Sequence, residues 1–85
     1  MKSETELRRD IRNKVVELAR AMGKKADGIH DDDILLEKGF LDSASVLELL
    51  VWLEGETGGE LDPDEVSLDN FGSISRMVTF LSARP

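Results

Sequence analysis

Residues 36–53 read LEKGFLDSASVLELLVWL, and the chain changes character at Asp42-Ser43. Before that pair, Gly39-Phe40-Leu41 follows no period, and Gly39 marks a loop. After it, at about 100° per residue, Val46, Leu49, Leu50 and Leu53 fall on one side of a helix that runs to about Thr57. Ala44, Leu47 and Val51 form a second apolar strip beside the first. Glu48 borders that strip, Glu54 lies between it and the core side, and Trp52 points away from the core stripe. A helix apolar on two sides is either deeply buried or presents a binding surface. In a chain of 85 residues, burying one helix all round is difficult. Asp42 or Ser43 can cap this helix, and Ser45-x-x-Glu48 offers an alternative capping box.

Upstream, Ser3-Glu4-Thr5-Glu6 reads as a capping box. Behind it Leu7, Ile11, Val15, Leu18 and Met22 recur at helical spacing, with Arg8, Arg9, Arg12 and Lys14 mostly off that stripe. Gly23 is placed to end the helix in a left-handed conformation, which sets a first helix over about residues 4–22. Residues 24–42 are a long connection, of a kind that is often functional. Asp31-Asp32-Asp33 can start a short helical turn there, and Ile29, Ile34, Leu35, Leu36, Phe40 and Leu41 are expected to pin the loop over the core.

Downstream, Gly58-Gly59 ends the second helix. Asp62-Pro63-Asp64-Glu65 is a helix start with Asp62 as N-cap, and that helix must be short because Asp69-Asn70-Phe71-Gly72 follows. Ser73 can cap a last helix bearing Ile74, Met77, Val78 and Leu81, with Arg84 favourably placed at its C-terminal end. Nothing alternates with period two, and no repeat is present. The expected fold is an all-α, antiparallel four-helix bundle: three longer helices, one short third helix and a long first loop. It forms a single domain over residues 1–85, with Phe40, Phe71 and Phe80 in the core.

Composition removes several function classes. Eighteen acidic residues against eleven basic ones give a net charge of −7, opposite to the basic face of a nucleic-acid binder. The charge is also divided: residues 1–25 carry net +4 and residues 26–85 carry net −11. An acidic half of this kind either keeps a surface solvated or steers a basic partner. The absence of cysteine removes disulfides, thiolate metal sites and thiol nucleophiles. An EF-hand frame fails from Asp31, where Leu35 and Leu36 occupy the fifth and sixth positions, and from Asp62, where Val66 and Ser67 do. There is no phosphate-binding glycine loop, and Ser43 lacks the flanking glycines of a hydrolase elbow. His30 is the only histidine, too little for an acid–base constellation with Ser43. No apolar run is long enough for a membrane span, and Met1-Lys2-Ser3-Glu4 does not open a signal peptide. A cytoplasmic, monomeric protein without a metal site is expected, the oligomeric state because no heptad pattern is sustained.

The stretch from Leu36 to Leu53, followed by Leu61-Asp62-Pro63, Asp69-Asn70-Phe71-Gly72-Ser73-Ile74 and the final amphipathic helix, resembles the acyl and peptidyl carrier proteins over essentially the whole chain. Gly-Phe-Leu-Asp-Ser and Asp-Asn-Phe-x-Ser-Ile look closer to freestanding carriers of the peptidyl or D-alanyl type. The family commonly has leucine directly after the serine, where this chain has Ala44. The resemblance implies an acyl-carrier-like bundle with 4′-phosphopantetheine on Ser43, transferred from coenzyme A by a phosphopantetheinyl transferase that Asp42 helps to recruit. It implies acyl or aminoacyl thioesters, a loading ligase and downstream synthase or transferase enzymes as partners, in specialised peptide, polyketide or acyl biosynthesis. Ala44, Leu47, Glu48, Val51 and Glu54 would then form the partner surface. The alternative is an acidic helical adaptor that binds a basic protein without a covalent cofactor.

Overall fold

A computed structural model describes residues 3–59 and 61–83. Four α-helices are present among them: α1 (Glu4–Ala21), α2 (Ser43–Thr57), α3 (Leu68–Phe71) and α4 (Ile74–Ser82), with a 3-10 turn at Pro63–Glu65. No strand occurs among the described residues, and the all-helical bundle expected from the sequence is the fold observed.

The ends of the helices follow local chemistry. Ser3 Oγ accepts from the Glu6 N–H, Glu6 reaches back to the Ser3 N–H, and this capping box opens α1. Gly23 closes it at φ +77°, where a side chain would be strained. Asp42 caps α2 and Gly58, in left-handed conformation, ends it. Ser73 Oγ accepts from the Arg76 N–H to start α4. Arg84, expected beyond the end of α4, lies outside the described residues.

α1 contributes Ile11, Val15 and Leu18 to the core, α2 contributes Leu49, Leu50 and Leu53, and α4 contributes Ile74, Met77, Val78 and Leu81. Each such side chain, fully buried, stabilises the fold by about 1.5–3 kcal/mol. Phe71 is buried and meets the half-buried Phe80 edge-on, with ring centroids 5.1 Å apart. Phe40 also packs against the core from a half-buried position. Of the loop's apolar residues, Ile29, Leu35 and Leu41 are buried, whereas Leu36 stays exposed.

Three local expectations are corrected. Asp31-Asp32-Asp33 forms turns and starts no helix. The short third element divides in two, the 3-10 turn and α3, because Asp69-Asn70-Phe71 continues as helix where a break was expected. Phe71 N–H donates to the Ser67 carbonyl at 2.8 Å and Asn70 Nδ2 to the Glu65 carbonyl at 2.8 Å, which supplies the turn with partners. Trp52 is half-buried and packs against the core.

Candidate functional site

Asp42 and Ser43 stand where α1 ends and α2 begins. Met22, the C-cap of α1, lies against Ser45 in the first turn of α2, and the buried Ser45 hydroxyl donates to the Met22 thioether sulfur. Ser45 is therefore committed to the interior, and the cap is Asp42: its Oδ1 accepts from the Ser45 N–H at 2.8 Å. That hydrogen bond holds the exposed Asp42 carboxyl below the usual carboxylate range. The alternative box from Ser45 to Glu48 does not form.

With Asp42 as cap, Ser43 is left over. It is the first residue of α2, it is exposed, and its hydroxyl makes no hydrogen bond to a described residue. Helix α2 has no acidic residue in its first turn, so its N-terminal N–H groups and dipole face the space in front of Ser43 uncompensated except by Asp42. An anionic group esterified to this oxygen would meet backbone donors and solvent, and no side chain would need to be displaced. The residues present thus fit a phosphodiester at Ser43.

The outward strip of α2 is real. Leu47 is 64% exposed and Val51 67%, with Ala44 and Glu48 exposed beside them. Leu47, Glu48 and Val51 share a shallow open groove with Trp52 and with Lys14 of α1, two residues the sequence did not place there. Glu54 stands apart: it is half-buried, and its Oε2 accepts from the Leu61 N–H at 2.9 Å, tying α2 to the segment after it. His30 is exposed on the loop, and among the described residues no group of three or more His, Cys, Asp or Glu could hold a metal. No helix among them is long and apolar enough to cross a membrane.

A second feature was not anticipated. A cavity of about 200 Å³ opens on the other side of α2, lined by Leu35 and Leu36 of the loop, Val46, Leu49 and Leu50 of α2, and residues 66–68, 71 and 72. Its exposed apolar members, Leu36, Val66 and Leu68, come from the first loop and from the segment that leads into α3, so only the tertiary fold brings them together. In the sequence Val46 belongs to the core stripe of the second helix and Leu36 to the loop expected to pin over the core, so neither marks a cavity.

A family model described as the phosphopantetheine attachment site covers residues 10–81. No curated protein and no solved structure matches the chain.

Proposed function

Because the chain belongs to the phosphopantetheine attachment-site family, we propose that Ser43 is the attachment residue and that the protein shuttles acyl or aminoacyl groups as thioesters between partner enzymes. Family membership makes it a carrier of covalent 4′-phosphopantetheine that is not itself an enzyme, and carrier domains of this kind work with phosphopantetheinyl transferases and biosynthetic enzymes. A helical adaptor lacking a covalent group is thereby set aside. The arm's terminal thiol, when present, supplies the thioester linkage.

The observation that carries Ser43 is its exposure as the first residue of α2, with a free hydroxyl, while Asp42 and Ser45 are occupied with each other. Asp42, the residue directly before it, would meet the transferase and its metal. Ala44, Leu47, Glu48 and Val51 would receive the partner enzymes, apolar contact coming from the first, second and fourth and steering from the acidic side chain. Carriers exchange partners at every step, and a small interface of this kind suits rapid release. Residues 1–85 would act as one carrier domain, as a monomer in the cytoplasm, loaded by a ligase and unloaded by a synthase or transferase.

The cavity beside α2 supports a short apolar acyl cargo. At about 200 Å³ it is smaller than the ~300–1,000 Å³ of a drug-sized ligand site, and its walls are apolar. Each methylene sheltered there gains about 0.8 kcal/mol, so a short acyl thioester should raise the melting temperature of the loaded protein above that of a glycyl thioester. Equal values would remove the cavity from the account.

Attachment itself is read by intact mass after incubation with coenzyme A, magnesium and a broad-specificity transferase. The protein should gain one phosphopantetheine and Ser43→Ala none. An unchanged mass under conditions that modify a control carrier would overturn the proposal.

A further inference from the structure

The connection between α1 and α2 is tied down at a point distant in sequence from Ser43, and the tie is electrostatic. Asp31 Oδ2 accepts from Arg8 Nη1 at 2.8 Å, and Oδ1 accepts from Arg12 Nη2. Arg12 also donates to the Ile29 carbonyl at 2.8 Å, and the Asp31 carbonyl accepts from the Ser75 N–H of α4 at 2.9 Å. One short piece of loop is thus lashed to two helices. From it the chain leads to Leu35, whose N–H donates to the Gly72 carbonyl at 2.9 Å and whose carbonyl accepts from Phe40 at 3.1 Å and Leu41 at 3.4 Å. Leu41 is buried, and the next residue is Asp42, the cap of α2. The same run of chain therefore carries the lashing at one end and the Ser43 turn at the other, with the cavity wall of Leu35 and Leu36 between them.

We infer that Arg8, Arg12 and Asp31 are positioning residues: their ion-paired clamp fixes the loop that seats the Ser43 turn and walls the apolar cavity. This rests on the carrier reading for its consequence, but not for its geometry. Arg12 first, and Arg8 after it, hold the Asp31 carboxyl below its usual range against the opposing effect of burial. Core packing alone would not require this arrangement, since Ile29, Leu35 and Leu41 already bury the loop's apolar side chains. The clamp instead fixes where the polar backbone between them runs.

The side chains of Arg8 and Asp31 keep 36% and 30% of their exposure, so the effect is moderate. Asp31→Asn should speed hydrogen exchange of the Leu35, Leu41 and Ser75 amides about three- to tenfold, while amides in the middle of α1 and α2 change much less. With the transferase, Asp31→Asn should raise KM for the protein by a similar factor and leave kcat nearly unchanged. Asp31→Glu, which restores the charge, should recover part of both. Arg12→Gln, which leaves the carboxylate its Arg8 partner, is a milder variant for which the same order of amides is expected if Asp31→Asn does not fold. Acceleration spread evenly over loop and helices, or none at the loop, would overturn the inference. The exchange readout needs no prosthetic group, so failure of Ser43 modification and failure of the clamp are separate results.

Discussion

The two sides of α2 are built from the same kind of residue and do opposite things. Leu49, Leu50 and Leu53 face inward and are at most 9% exposed, whereas Leu47 and Val51, one helical step away, keep about two thirds of their surface in solvent. Composition cannot separate them; only their angle on the helix does. The inward side packs against α1 within the buried core and sets stability. The outward side lies open to solvent beside Lys14 of α1, which a stable helix tolerates only because the inward side suffices. A carrier needs that division, with one face that never lets go and another that must.

Substitutions on the two sides should therefore separate stability from function. The largest effect is expected from Leu53→Ala, which empties a fully buried position. It should cost about 2–5 kcal/mol in urea denaturation, a large share of the total for a domain of this size. A cost below 1 kcal/mol would mean the inward face is not the support described.

A middle effect is expected at the junction of the two sides. Asp42→Ala removes the cap and should lower the melting temperature by about 5 °C, with helix content retained. The same site carries a pH signature. The folded-state pKa of Asp42 lies below its ordinary value, so its contribution is complete above the ordinary value and is lost as pH falls through the folded one. The melting-temperature gap between the wild type and Asp42→Asn should be widest above about pH 5 and should close below ~4. A gap that widens in acid would contradict the assignment of the cap.

The smallest effect on stability is expected from Leu47→Asp, within about 0.5 kcal/mol of wild type, together with a loss of partner turnover of about tenfold. Should this variant unfold, Leu47 belongs to the interior and the comparison breaks.

Much of this was legible before any coordinates. The capping box at Ser3, the N-cap at Asp62, the stripe through Ile11, Val15 and Leu18, and the second apolar strip with Leu47 and Val51 are all local patterns, and local patterns survive folding here. What escaped depends on distance along the chain. Arg8 and Arg12 read only as residues off the apolar stripe, yet they meet Asp31, 23 and 19 residues on. Glu54 read as an edge of the partner strip, yet it holds the Leu61 N–H, seven residues away. Trp52 read as pointing outward, yet its size lets it reach the core from the flank of the helix, beside Lys14. Asp69-Asn70-Phe71 read as a break, yet it continues as helix, with the Asn70 side chain bonded to the Glu65 carbonyl five residues back. At the candidate site, the sequence left the cap open between Asp42, Ser43 and Ser45. The structure assigns the cap to Asp42 and leaves Ser43 without a structural task.

That idle hydroxyl is where the account is most exposed. Fragmentation mass spectrometry of the transferase-treated protein locates the added group on the chain. The account predicts phosphopantetheine on Ser43 alone, with the buried Ser45 unmodified two residues away; the group on any other serine, or on none, would contradict it.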